Sequence, residues 1–326
     1  MDYVLGVDGG NTKTVALVAR INGEVVGVGR AGCGDIYGAA SEEAALAEIE
    51  RAVRDALAMG GVSAMRLVAG GFSMAGADWP EDFAFFEAAM TERGFGRTIT
   101  VVNDAIGALR AGSAGPAVSV VCGTGVATGA RGLDGTYWHT SFWQEGGGSG
   151  RLSSETFRAV ARAELGIDPP TSLTGALLTA FDLPTVEAWL HVMTARRRPR
   201  PPAAATIARL LLDAAEAGDG VAQDIVRAEG ERMGDYALAA ARKVGLTNER
   251  FDLVLAGGVF DHPSPLLPGH VTARVRRDIP LTRPVRPALE PAAGAVLLAF
   301  DAANVPASSI VVERLDASLV SLRSQG

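Results

Sequence analysis

Residues 3–14 read Tyr3-Val4-Leu5-Gly6-Val7-Asp8-Gly9-Gly10-Asn11-Thr12-Lys13-Thr14, an apolar run that stops on a carboxylate and two glycines. The β-rich run at 3–7 predicts a strand. Glycines at its end let backbone amides approach a ligand with no side chain in the way. Asn11, Thr12, Lys13 and Thr14 add amide, hydroxyl and ammonium donors. A polyphosphate is met by this combination, backbone N–H groups together with cations, although an ordinary hairpin turn also fits the segment by itself. The strand pattern resumes at 14–21, Asn22-Gly23 predicts a tight hairpin, and 25–28 predicts a third strand.

The same pattern returns halfway along the chain. A strand at 118–121 is followed by Gly123-Thr124-Gly125, a strand at 126–130 and a second hairpin signal at Asp134-Gly135. One copy fits any β-hairpin; two copies, each opening one half, indicate a duplicated architecture with nucleotide held between two lobes. Between the copies, 41–59 predicts an amphipathic helix with Ser41 as N-cap and Ala45, Leu46, Ile49, Val53 and Leu57 on its apolar face. A strand at 66–72 leads into Ala75-Gly76, a helix covers 80–93, and a strand at 98–102 ends at Asn103-Asp104, where a helix begins. Beyond the second copy, 153–165 and 203–245 are alanine-rich and helical in pattern, joined through Pro169-Pro170 and an Arg/Pro stretch at 196–202. A last core strand at 251–255 runs into Ala256-Gly257-Gly258-Val259, and 290–302 predicts a buried helix. The expected organisation is α/β, with lobes at 1–113 and 114–326, a helical elaboration of the second lobe at 151–250, and a C-terminal tail packed back on the first lobe.

Composition bounds the function. With 326 residues, 48% hydrophobic and 21% charged, the chain has core material for two domains. A formal charge of −7 argues against a general nucleic-acid binder. Arg196 to Arg198 with Arg200 sit among prolines and read as a solvated loop. Cys33 and Cys122 stand far apart without a CxxC spacing, so neither a disulfide framework nor a zinc site is expected. No basic leader and no apolar run of about 18 residues is evident, so a cytoplasmic enzyme with no membrane partner is expected. Neither a GxxxxGK[ST] loop nor a helix-opening GxGxxG is present.

Taken in order, the three glycine loops resemble those of the acetate and sugar kinase, heat-shock chaperone and actin superfamily, built on duplicated ribonuclease-H-like (actin-like ATPase) lobes. Within it the chain is similar to the N-acetylglucosamine kinase type of the BadF/BadG/BcrA/BcrD ATPase family, which also holds ATPase activators of 2-hydroxyacyl-CoA dehydratases and benzoyl-CoA reductases. The resemblance implies ATP with Mg²⁺ between the lobes and a homodimer. It places Gly9, Gly10, Asn11, Thr12, Lys13 and Thr14 at the β- and γ-phosphates. Gly123, Thr124 and Gly125 would grip the phosphates from the other lobe, and Gly257 and Gly258 would lie beside the nucleoside. Asp8 would face the magnesium through water, because Mg²⁺ keeps several waters. Connecting helices would start near Asp104 and Glu290.

A kinase acting on an alcohol needs a group that accepts the hydroxyl proton and aims the oxygen at the γ-phosphorus. Asp104, at a strand-to-helix junction, fits that role; it also fits a helix N-cap, and the two can coexist. The resemblance makes it the base. Candidate acceptor-binding residues are Asp35, Gly76, Trp143 and Glu145, on the loops at 32–35, 74–78 and 142–145, with Asn103 and Asp104 at the strand-to-helix junction. Relatives carry asparagine where this chain has Asp35. Relatives also have Gly-Asp-Glu-Gly-Ser-Gly, matched here by Glu145-Gly146-Gly147-Gly148-Ser149-Gly150. Both acids are replaced by glycine, and Glu145 lies immediately upstream as a substitute. Asp35 would favour a ligand group that donates hydrogen bonds or carries positive charge. Asp35 as a turn residue and Trp143 as a packing aromatic are the plainer readings. His139 and His191, single histidines without a partner pattern, read as structural. The expected activity is ATP-dependent phosphorylation, at C6, of an amino sugar such as N-acetylglucosamine or glucosamine. The alternatives are an ATPase activator with an iron–sulfur cluster on paired cysteines, or a non-catalytic binder of nucleotide or sugar.

Overall fold

The computed structural model describes residues 2–196 and 203–323, so most of the Arg/Pro stretch lies outside the described residues. Strands β1 (Tyr3–Gly9), β2 (Thr14–Arg20) and β3 (Val25–Ala31) form an antiparallel meander, and β4 (Leu67–Met74) and β5 (Thr98–Asn103) extend it on the β1 side in parallel. The sheet order is β3-β2-β1-β4-β5. Helix α1 (Glu42–Gly60) connects β3 to β4, and α2 (Pro80–Glu92) connects β4 to β5. The side chain of Ser41 caps α1 by accepting the Ala44 N–H, and Gly61, at φ 60°, ends it. Ala45, Leu46, Ile49, Ala52, Val53 and Ala56 are buried on its sheet-facing side. This is the 3.6-residue stripe that the sequence shows.

After α3 (Asp104–Gly112) the scheme repeats. β6 (Ala117–Cys122), β7 (Val126–Arg131) and β8 (Tyr137–His139) form a second antiparallel meander, which β9 (Asp252–Ala256) and β10 (Arg283–Val285) extend in parallel. Its order, β8-β7-β6-β9-β10, matches the first sheet strand for strand. Between β8 and β9 stand α4 (Gly148–Glu164), α5 (Leu173–Ala180), α6 (Val186–Thr194), α7 (Ala204–Glu216) and α8 (Gly220–Lys243); α9 (Leu266–Asp278) follows β9. α10 (Pro291–Ala302) and α11 (Ser309–Arg323) end the described chain.

Three features differ from the sequence reading. The stretch read as helical in pattern at 203–245 divides into two helices, because Gly218 takes φ 97° and Asp219 caps α8 through the Ala222 N–H. α4 starts at Gly148, five residues early, in a glycine run that reads as loop. Its first amides are held by loop carbonyls, Ser149 N–H by Gly123 O and Gly150 N–H by Thr124 O. α9 and the three-residue β10 carry no clear signal. The tail is the helix α11, which lies on β3: Ser318 Oγ accepts the Val25 N–H, and Leu315 and Leu319 are buried.

The two halves meet through crossed helices. α3 follows β5 but packs on β6 and β7, whereas α10 follows β10 but packs on β1 and β4. α3 and α10 touch at Gly107 and Gly294, where a Cβ on Gly294 would stand 2.0 Å from the Gly107 carbonyl oxygen. No side chain fits there. Gly294→Ala is expected to destabilise the protein by about 1–3 kcal/mol, read as a lower urea midpoint with an unchanged m-value.

Candidate active site between the two sheets

Parallel strands align their carboxyl ends, and in the first sheet those of β1 and β5 carry Asp8 and Asn103-Asp104, while Asp78 stands on the loop that follows β4. Clefts outside such strand ends are where α/β sheets bind ligands. Asn103, not Asp104, caps α3: its Oδ1 accepts the Ala105 N–H at 3.1 Å. The Asn103 amide donates to Asp78 Oδ1 at 3.0 Å and to the Ala77 carbonyl at 3.3 Å. Asp104 is thereby set at the first helical position. Burial, then the charges of Asp78 and Asp35, push its pKa up to about 6 against the pull of the Ala105 amide and its own. Burial, then Asp104, also raise Asp8, to about 7; Lys13 opposes this and Glu290 adds to it.

Asp8 and Asp104 thus repel each other across a desolvated gap, an arrangement that a cation relieves. Among the described residues no group of three or more His, Cys, Asp or Glu side chains is placed to hold a metal by itself. That donor set fits Mg²⁺, which takes one or two carboxylates and completes its shell with water and substrate phosphate. Because the Asp8 pKa is raised on folding, its stabilising contribution is full below the unfolded value near 4 and is lost as the pH climbs through about 7. Asp8→Asn is therefore expected to melt a few degrees above the parent at pH 8 without magnesium, at about 1.5 °C per kcal/mol relieved for a chain of this length. The gap should close by pH 4.

The first glycine loop is tied down behind its exposed tip. Gly10 N–H donates to Lys13 O at 2.9 Å, Gly34 N–H to Gly10 O at 3.1 Å, and Thr14 Oγ1 to Gly32 O at 2.9 Å. Asn11, Thr12 and Lys13 remain exposed. The other two glycine loops are joined: Val259 N–H donates to Cys122 O at 3.0 Å, just before Gly123-Thr124-Gly125. A Cβ at Gly123, Gly125 or Gly258 would meet no atom within 4 Å. Packing does not require glycine at these three positions, and their backbone stays open to an approaching group. Gly148 differs: at φ 67° its Cβ would lie 2.2 Å from Gly125 O, so α4 is seated directly behind the loop. The buried carboxylate of Glu229, on α8, accepts the Gly148 N–H at 3.3 Å and pairs with Arg232 and, at 3.5 Å, with Arg151.

On the acceptor side, Asp35 is buried; its Oδ1 accepts the Tyr37 N–H at 2.9 Å and its Oδ2 the Asn11 amide at 3.0 Å, linking this loop to the first glycine loop. Gly76, at φ 82°, leaves the space that Asp35 Oδ1 fills. Asp35, Gly76, Asn103 and Asp104 therefore converge, with Asp78 among them. Glu145 does not join them through any contact; its carboxylate lies 3.6 Å from both Arg151 and Arg232. Trp143 is 73% exposed and takes no part in the ring contacts of Tyr37 and Trp79 with Phe142. Sequence reasoning missed Asp78 as a site residue, although the loop at 74–78 is singled out. It also missed Ser141, Glu229 and Arg232, which carry no motif. His139, read as structural, hydrogen-bonds Ser141 beside Asp78. Cys122 is fully buried, and burial pushes its thiol well up.

Comparison with known proteins adds three findings. The profile of the BadF/BadG/BcrA/BcrD ATPase family matches residues 5–299. An N-acetyl-D-glucosamine kinase of Dictyostelium discoideum is 24% identical over 316 residues, covering 92% of this chain and 98% of that one. Among solved structures, a Chromobacterium violaceum protein provisionally named N-acetylglucosamine kinase superposes with a TM-score of 0.64 at 22% identity, over 91% of this chain and 99% of that one. A ROK family glucokinase from Streptomyces griseus, solved with glucose and AMPPNP, gives 0.60 at 18% identity over 93% and 99%. No helix among the described residues is long and apolar enough to cross a membrane.

Proposed function

The chain belongs to the BadF/BadG/BcrA/BcrD ATPase family, and we propose that it transfers the terminal phosphoryl group of ATP to a hydroxyl, at C6, of an amino sugar such as N-acetylglucosamine or glucosamine. The observation that carries this reading is the half-buried Asp104, raised to about 6 among Asp78, Asp35 and Asp8, at the strand-to-helix junction where β5 meets α3. A base of that pKa is ionised at neutral pH yet basic enough to take a proton as an alcohol attacks. In the proposed step the acceptor oxygen bonds the γ-phosphorus, the bond from that phosphorus to the β-phosphate oxygen breaks, and the hydroxyl proton passes to Asp104. ADP leaves with the electron pair of the broken bond.

Gly9 to Thr14 and Gly123 to Gly125 would meet the phosphates, Gly257 and Gly258 the nucleoside, and Asp8 the cation. Magnesium, when bound, would offset the charge of the phosphate oxygens. The amino-sugar preference rests on Asp35 and Asp78, acceptor-only carboxylates that suit hydroxyl, amide or ammonium donors. The lobe boundary is placed at 113/114, between α3 and β6, and a cytoplasmic homodimer belongs to the same proposal. Light scattering on the purified protein checks the dimer.

Coupled ADP release with Mg-ATP tests the activity against N-acetylglucosamine, glucosamine, N-acetylmannosamine, glucose, N-acetylmuramic acid and no acceptor. Acceptor-dependent release with an amino sugar is expected. Slow release indifferent to every sugar would sink the kinase reading. Glucosamine turnover at background beside good N-acetylglucosamine turnover would remove the free-amine refinement.

A further inference from the structure

One segment of the second sheet reaches across the cleft and docks on the first. It runs from the end of β8 through a short 3₁₀ turn, Ser141–Trp143. Thr140 fixes its base: its N–H donates to Thr128 O at 2.9 Å, and its Oγ1 accepts the Thr128 N–H at 3.1 Å. From this anchored base Ser141 Oγ donates to Asp78 Oδ1 at 2.5 Å, across the two sheets. Serine has a single O–H and a carboxylate only accepts, so the contact at 2.8 Å between Ser141 Oγ and His139 Nδ1 has the imidazole donating. This sets the His139 tautomer with its proton on Nδ1. Asp78 Oδ1 also accepts the Asn103 amide, one residue before Asp104. Four side chains, His139, Ser141, Asp78 and Asn103, thus run in series from the second lobe to the neighbour of the reactive carboxylate. Beside them the Phe142 ring stacks on Trp79 at 6.0 Å and meets Tyr37 edge-on at 5.4 Å.

The backbone at Ser141 argues that this hydroxyl is kept for a reason. Ser141 has φ 42°, in the left-handed region, where glycine is at ease and serine is not. A turn selected for stability alone would carry glycine or asparagine there. Strain retained at a cleft residue points to a role for its side chain.

We propose that Ser141 is a positioning residue for the acceptor, its hydroxyl holding Asp78 against the Asn103-Asp104 pair so that the acceptor pocket is complete only when the two lobes are together. This deepens the kinase reading above and rests on it for the identity of the acceptor. Ser141 acts through Asp78, and its side-chain hydrogen bonds go to His139 and Asp78.

The test compares Ser141→Gly with the parent, because glycine relieves the backbone while deleting the hydroxyl. Three readouts are taken on the full chain: melting temperature, kinetics of ADP release with the best sugar, and amide hydrogen exchange of residues 75–79. The expected result is a melting temperature at or above that of the parent and faster exchange at 75–79. kcat/KM for the sugar should fall about 10–150-fold, the range for a lost hydrogen bond to a charged group, with KM for ATP within about twofold of the parent's. Ser141→Ala, which keeps the strain, should lose as much activity and melt lower. Parent-like kcat/KM in Ser141→Gly, or unchanged exchange at 75–79, would overturn the proposal and leave Ser141 a turn residue. If the parent itself turns over no sugar, the kinase reading has failed, and exchange at 75–79 alone decides the bridge: faster supports it, unchanged overturns it.

Discussion

Asp104→Asn is expected to lower acceptor-dependent ADP release by about 10²–10⁴-fold, the usual contribution of a positioned general base, while leaving the fold and Mg-ATP binding in place. Asparagine keeps the shape of the side chain at the first position of α3, and the cap belongs to Asn103, so the helix start survives. The substitution also removes a charge that repels Asp8 and faces Asp78, which favours folding of the variant. Lost activity with retained stability is therefore the signature. The pH dependence has a definite sign. A base must be unprotonated, so kcat/KM of the parent should fall as the pH drops through about 6, and this limb should flatten in the variant. A variant within about tenfold of the parent, or one that keeps the acid limb, would move the base elsewhere.

Arg232→Leu is expected to destabilise the protein by about 3–5 kcal/mol, the cost of stranding a buried charge. Glu229 is 3% exposed, and Arg232 is its close partner one helical turn away on α8. Arg151, at 3.5 Å and 40% exposed, remains as a looser and wetter second cation. Arg232 also donates to the Gly146 carbonyl at 2.9 Å, so the glycine run before α4 loses a tether as well. Since Gly148 is seated against Gly125 O, movement of α4 transmits to the second glycine loop, and weaker ATP binding should accompany the loss of stability. The double variant Glu229→Gln with Arg232→Leu separates charge from packing: a neutral amide no longer needs the cation, so much of the lost stability should return. Urea unfolding of the three proteins gives the result. A single variant that costs less than about 1 kcal/mol would mean the pair behaves like a surface ion pair.

What the residues show locally and what they show only when folded divide along one line. Strands that end on glycine are local events, so Asp8-Gly9-Gly10, Gly123-Thr124-Gly125 and Ala256-Gly257-Gly258 are legible from alternation and from glycine alone. The doubled meander follows, and the two sheets share one strand order. Ser41 as a cap and the apolar stripe of α1 are legible for the same reason, since each depends on neighbours within a turn or two. The end of β5 is half legible: the Asn103-Asp104 pair stands out, but only the folded backbone shows that Asn103 takes the capping role.

The remainder depends on distant partners that no period encodes. Asn11 meets Asp35 across 24 residues, Ser141 meets Asp78 across 63, and Glu229 meets the Gly148 amide across 81. A run of glycines is a loop by propensity and becomes the first turn of α4 only because the carbonyls of Gly123 and Thr124 accept its amides. Glu145 is the residue nearest in sequence to the missing acidic pair, yet in the fold it faces two arginines. The sequence by itself therefore determined the two lobes, their glycine loops and the carboxylate at the end of β5, all matters of short-range backbone preference. Tertiary structure decided which side chains surround that carboxylate and how strongly they perturb it, because burial and Coulomb fields depend on distance in space and not along the chain.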